Sequence, residues 1–135
     1  MSVKDFVQQR RDALIAMRRD FHMYPEPAWL EYRSAAKVAD RLISLGYDVA
    51  LGADVLDLDS RMGLPSDEVM KAAMDRAIKE GANPELVEKM GYGKTAIVAT
   101  MKFGGEGPVV AFRVDMDSND VIEAKEDSHV PTKEG

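Results

Sequence analysis

Cysteine is absent, and with it any disulfide framework or thiolate metal site built from these residues alone. Histidine is almost absent: His22 and His129 stand far apart in sequence, and two histidines without nearby partners make a poor metal cage. Positive charge is in deficit, with 18 Lys and Arg against 24 Asp and Glu and a formal net charge of -6. Phosphate backbones are bound through clustered Lys and Arg, so no nucleic acid partner is expected. Long apolar runs are missing too, which leaves no segment to span a bilayer and no membrane partner. The opening residues carry Lys4, Asp5, Arg10 and Arg11 with no apolar stretch behind them. That argues against a secretory signal and sets a cytoplasmic location as the expectation. Gly91-Tyr92-Gly93-Lys94-Thr95 ends like a phosphate loop but lacks its first glycine and its following helix, so nucleotide binding is not expected.

What is present is the composition of a soluble globular domain, or part of one: 135 residues, 45% hydrophobic and 31% charged. Val3, Phe6, Val7, Leu14, Ile15, Met17 and Phe21 recur at helical spacing, which predicts an amphipathic helix from Val3 to Phe21. Pro25 and Pro27 then impose a loop. A second helix is predicted from Leu30 to Leu45, with Gly46 as its left-handed cap, and a strand from Tyr47 to Leu51. Ser66 can cap a helical region reaching Met90, which Asn83-Pro84 divides in two. Ala96 to Met101 and Val109 to Val114 read as strands around the turn Gly104-Gly105-Glu106-Gly107-Pro108, forming a hairpin or neighbouring strands of one sheet. The pattern predicts an α/β layer structure with a helical insert over residues 60–92. The nine methionines read as core filler and helix formers rather than as a ligand set.

Chemistry is most concentrated at the end of the last apolar run. Alternation along an extended chain puts Arg113, Asp115 and Asp117 on one side, so that a guanidinium and two carboxylates converge. Such a trio can steady a metal-binding histidine, act in proton transfer, or form an ion pair with no further role. His22 closes the first helix, where a histidine complements the helix dipole or packs against neighbours. His129 lies in a polar stretch before Pro131 and can equally be solvated.

Several runs, taken in order, resemble the opening of the M20 family of metallopeptidases and amidohydrolases. They are Arg18-Arg19-Asp20-Phe21-His22, Pro25-Glu26, Glu31-Tyr32-Arg33-Ser34-Ala35, Leu45-Gly46-Tyr47, Gly93 to Thr100, and Gly107 to Asp117. The insert beginning Ser60-Arg61-Met62-Gly63-Leu64-Pro65 and the Ser128-His129 pair narrow the resemblance to the A-type chains of the aminobenzoyl-glutamate hydrolases. It covers essentially the whole chain.

The resemblance implies that residues 1–135 form the amino-terminal part of a three-layer α/β/α catalytic domain. It also implies hydrolysis of the amide bond of p-aminobenzoyl-glutamate, or of a similar acyl-amino acid, by water activated between divalent zinc or manganese ions. In the family the ligands cluster in a His-Ala-Cys-Gly-His-Asp run that follows later in the chain, so no metal ligand is expected among these residues, and by themselves they are expected to be inactive. Asp115 is the one residue carried toward the centre, as a support two residues after the place of a metal-binding histidine, a place that Arg113 takes here. Arg113, Asp117 and His22 are candidates for substrate or structural support. At Ser118 the family pattern continues with alanine. The expected partners are the small amide substrate, further copies of the chain, or the missing portion; the alternative reading is a binding or assembly module without chemistry of its own.

Overall fold

The first helical stretch folds as two helices rather than one. In the computed structural model, which describes residues 2–119 and 121, α1 runs Val3–Gln9 and α2 runs Arg11–Met23. Ser2 opens α1 with a reciprocal cap: its hydroxyl accepts from the Asp5 amide at 3.2 Å, and Asp5 Oδ2 accepts from the Ser2 amide at 3.2 Å. The Ser2 hydroxyl, which donates to Asp5 Oδ2 at 2.8 Å, and then the Ser2 amide hold the Asp5 carboxyl below its ordinary pKa. The break falls at Arg10, where the backbone turns to φ -104 and ψ 6 and the guanidinium lies 3.7 Å above the Phe6 ring. Helical spacing was enough to make these helices, but neither buries a residue fully. They belong to one compact unit of the chain, and Glu26–Ser118 form another.

Within Glu26–Ser118, α3 is Tyr32–Ser44. Gly46, at φ +84, ends it: the Gly46 amide bonds Ile43 O at 2.9 Å and the Tyr47 amide bonds Leu42 O at 3.1 Å. This double closure satisfies two terminal carbonyls and needs a residue without a Cβ at the left-handed position. The chain passes directly into β1, Asp48–Leu51. A loop with two 3-10 turns, Gly52–Asp54 and Leu58–Ser60, leads to α4, Asp67–Lys79, which Ser66 caps through its hydroxyl. Asn83 caps α5, Pro84–Lys89, and β2 is Ile97–Thr100. The predicted division at Asn83-Pro84 is therefore where α4 and α5 part, because Pro84 fits a first helical position and no interior one.

The core of this unit is built from small side chains. Tyr32, Ala35, Ala36 and Ala39 of α3 are fully covered, and they meet Ala73 and Ala77 of α4, Leu86 and Val87 of α5, and Met90. Alanines on facing helices let the backbones approach closely, so a few larger groups fill the remaining space. Each fully buried Val, Leu or Met side chain contributes about 1.5–3 kcal/mol relative to exposure. Val49, Leu51 and Ile97 of the two strands pack against this cluster.

The sheet differs from the one expected. β2 pairs antiparallel with β1, in the register Asp48↔Thr100 to Leu51↔Ile97, and the Gly52 amide extends the ladder to Ala96 O at 3.0 Å. The hairpin between Ala96–Met101 and Val109–Val114 does not form; among the described residues Val109–Val114 have no strand partner. Pairing β1 with β2 puts Val49, Leu51 and Ile97 together over the helices. The described residues are thus mostly helical with one two-stranded sheet, which bears out the α/β expectation in part; the three-layer arrangement goes beyond what they form. No helix among the described residues is long and apolar enough to cross a membrane.

Two residues other than glycine adopt left-handed backbone in the described part, Trp29 at φ 67 and Tyr92 at φ 60. Each costs about 1–3 kcal/mol and persists only where its surroundings hold it.

Candidate functional site

Arg113 and Asp115 meet as alternation along an extended chain requires. Arg113 Nη2 lies 2.8 Å from Asp115 Oδ1, with the two side chains 89% and 67% exposed. A solvated pair of this kind contributes about 0–1 kcal/mol. Asp117, two residues on, is also exposed, but its charge reaches a different group, the carboxyl of Glu31. Met116 between the two aspartates turns inward onto the core, and the Ser118 amide donates to Glu26 O at 2.8 Å. The predicted trio is therefore divided: Arg113 and Asp115 form an ion pair in solvent, and Asp117 stands near the start of α3.

That start is where polar groups concentrate. Glu31 occupies the cap position of α3 but makes no capping bond with its side chain. The capping anion comes from Glu26 instead. Its Oε1 accepts from the Arg33 amide at 2.9 Å and its Oε2 from the Ser34 amide at 2.7 Å, in a site where the carboxylate is 1% exposed. Arg76 Nη2 lies 3.9 Å away. Two bonds to otherwise orphaned amides, placed on the positive end of the helix, explain why a carboxylate is held there.

Glu31 does a different job. Its Oε1 accepts from the Thr95 hydroxyl at 2.9 Å, which ties the start of α3 to the residues leading into β2. Beside it, the Tyr32 hydroxyl accepts from the Gly93 amide at 2.9 Å. Burial pushes the Glu31 carboxyl above its ordinary pKa, the Thr95 bond opposes the rise, and the negative charges of Asp117 and Glu26 add to it. Burial likewise raises the Tyr32 phenol. Glu31 Oε2 and Ser118 Oγ are buried polar atoms without a hydrogen-bond partner among the described residues. At Ser118 an alanine, as in the family pattern, leaves no such orphan.

Chemically, this corner is a satisfied structural anion, Glu26, beside a carboxyl disposed to keep its proton, Glu31. Neither arrangement is a metal cage: among the described residues no group of three or more His, Asp or Glu is placed to hold an ion. The side chains present do not fit a divalent metal, and no step of a hydrolysis can be routed through one here. His22 lies exposed in the last turn of α2, in the other unit of the chain. Ser128 and His129 fall outside the described residues.

Residue order alone places Glu26 and Glu31 in a family-like pattern and assigns neither a role. A signal for Glu26 existed: a helix that begins at Tyr32 with no Ser, Thr, Asp or Asn at its cap needs an anion from elsewhere. No signal of spacing could have paired Glu31 with Thr95, which lies 64 residues away in sequence.

Comparison with known proteins places these residues in a longer context. Over 132 residues, 98% of the chain, it is 42% identical to the indole-3-acetyl-aspartic acid hydrolase of Enterobacter agglomerans, of which it covers 30%. Over 134 residues, 99% of the chain, it is 43% identical to the A chain of the p-aminobenzoyl-glutamate hydrolase of Escherichia coli (strain K12), of which it covers 31%. The crystal structure of an aminobenzoyl-glutamate utilization protein from Klebsiella pneumoniae matches with a TM-score of 0.84 at 45% identity, over 89% of this chain and 30% of that one. No protein-family model matches. The chain spans just under a third of the length of the curated relatives it matches, 30% and 31%.

Proposed function

We propose, from the premise that this chain is homologous to about the amino-terminal third of M20-type amidohydrolases, that it serves as the opening segment of a metal-dependent hydrolase of amide conjugates of acidic amino acids. The observation that carries the reading is the match along nearly the whole chain to two hydrolases, at 42% and 43% identity. Their names specify related substrates: an aromatic acyl group joined to aspartate in one and to glutamate in the other. The shared chemistry is an aromatic acyl amide of a dicarboxylic amino acid, and it defines the proposed substrate class. Zinc or manganese is the proposed metal of the intact enzyme, held by residues beyond these.

By themselves these residues are proposed to be inactive, because among the described residues no donor set for an ion is assembled. Asp115 then acts as a support for a centre assembled elsewhere, and Arg113 as its ion-pair partner.

A second reading is favoured by a separate observation. Val109, Val110, Phe112 and Val114 are 97%, 69%, 90% and 75% exposed in an extended run, an apolar strand of the kind that pairs with another chain. In this reading the chain is an assembly module that docks on the remaining portion or on a second copy.

Incubation of the purified chain with manganese or zinc and p-aminobenzoyl-glutamate or indole-3-acetyl-aspartate tests both readings. No release of p-aminobenzoate or indole-3-acetate is expected from the chain alone. Activity is expected when it is refolded with a polypeptide covering the remaining two-thirds or so of the E. coli relative. Turnover by the chain alone that is lost in Asp115→Ala sinks the claim of inactivity. Tight binding of the remainder without any turnover leaves the assembly module as the correct reading.

A further inference from the structure

The loop between β1 and α4 has internal order of its own. Asp57 Oδ2 accepts from the Ser60 hydroxyl at 2.6 Å and Asp57 Oδ1 from the Asp59 amide at 3.1 Å, while Arg61 Nε donates to Leu58 O at 3.1 Å. The Val55 amide closes on Gly52 O at 3.1 Å. All of these bonds are local, so the loop keeps its shape when its outer contacts are lost.

Its outer contacts are few and come from Arg61, Met62 and Leu64. Arg61 Nη1 donates to Tyr92 O at 2.8 Å and to Gly93 O at 3.2 Å. Met62 O accepts from Trp29 Nε1 at 3.0 Å. Leu64 sits over Gly93 so closely that a Cβ on that glycine would lie 2.6 Å from Leu64 Cδ2. Trp29 and Tyr92 are the two residues other than glycine that carry left-handed backbone in the described part. Both therefore touch one dipeptide, Arg61-Met62. The far side of the same turn is held independently, by the Tyr32 hydroxyl on the Gly93 amide and by Glu31 on Thr95.

We infer that Val55–Pro65 is a strap fastened by two pins, Arg61 on Tyr92-Gly93 and Trp29 on Met62, which release together and whose closure keeps Trp29 and Tyr92 in left-handed backbone. The strap is the part of this unit best suited to local opening. Met62 is 83% exposed and Leu58 39% exposed, and only Val55, Leu56 and Pro65 of its apolar side chains are half-buried, so modest apolar surface resists its departure. Because its hydrogen bonds are internal, it leaves as one body. Because Met62 follows Arg61 directly, loss of the guanidinium contact carries the Met62 carbonyl away from the indole.

The chain contains a single tryptophan, so Trp29 reports on the second pin when the first is cut. In Arg61→Gln, cleavage by an Asp-specific protease at Asp57 or Asp59 is expected to quicken about tenfold, the change that follows when an arginine holding two carbonyls is removed. Trp29 emission should shift to longer wavelength, and acrylamide should quench it more, with helical circular dichroism unchanged. Faster cleavage with wild-type Trp29 emission overturns the coupling, and no change in either overturns the strap. Should Arg61→Gln unfold, hydrogen exchange in the wild-type chain decides. The Trp29 indole N–H, bonded to Met62 O, should then exchange through a local opening, and exchange only by global unfolding refutes the inference.

Discussion

Two stretches of the second unit, one packed and one extended, invert the usual ranking of hydrophobicity. Ala35, Ala36 and Ala39 are completely buried, while Val109, Phe112 and Val114, far more apolar, are at least three-quarters exposed. The alanines are covered because α3, α4 and α5 bring complementary faces to one another at close range. The valines and the phenylalanine are uncovered because no face among the described residues packs over them. Burial is thus decided by the presence of a partner surface, and hydrophobicity only says how much is gained when one arrives.

Breaking the packed side of this contrast should have the largest effect. Met90 is fully buried among the helices, and Met90→Ala should destabilise the chain by about 2–5 kcal/mol, read as a lower urea midpoint at unchanged slope. A loss below about 0.5 kcal/mol, the range of an ordinary surface substitution, means that the helical block is not the core.

Glu31 stands at the start of α3, on the packed side, and it sharpens the comparison through pH. Its pKa is raised in the folded chain, chiefly by burial. A raised carboxyl pKa means that the folded state holds the proton more tightly. Its contribution is therefore fully present below the unfolded value, near 4.5, and is lost as pH rises through the folded value. Glu31→Gln removes the cost of ionising a buried carboxyl and can still accept from Thr95. It should make the chain more stable than wild type near neutral pH, with the advantage shrinking as pH falls toward 4.5. An advantage that grows on acidification contradicts the raised pKa.

The smallest effect belongs to the extended stretch. Phe112→Ser should change the stability of the isolated chain by less than about 0.5 kcal/mol, because the ring has little to lose. The same substitution should weaken self-association in sedimentation at high concentration. A large loss of stability with no effect on association means that Phe112 is already covered in solution.

Much of the local structure is legible in residue order. Gly46 marks the end of α3, Ser66 and Asn83 cap their helices, and Pro84 starts α5, because caps and turns depend on residues close in sequence. The helix expected over Val3 to Phe21 is helical except at Arg10, and nothing in its apolar spacing marks that break. The strand pairing escapes residue order for a different reason. Neighbouring runs with a glycine-rich turn between them predict a hairpin, whereas the ladder that β2 forms is with β1, some 50 residues earlier, where Val49, Leu51 and Ile97 pack on the helical core. At the candidate site, the Arg113 and Asp115 pairing follows from alternation. The roles of Glu26 and Glu31 do not, because their partners are fixed by where α3 begins and where the chain returns.

Sequence alone determined the helical stretches apart from the break at Arg10, their caps, the acidic balance, the lack of thiols and near-lack of imidazoles, and the resemblance to M20 amidohydrolases, since all of these reside in composition or in short-range order. Tertiary structure alone decided that β1 takes β2, that Glu26 caps α3, that Glu31 is half-buried against Thr95, and that Arg61 reaches Tyr92 and Gly93 while Trp29 reaches Met62. Each of the latter joins groups through space, and the energy of such a contact depends on what else has been removed from water around it.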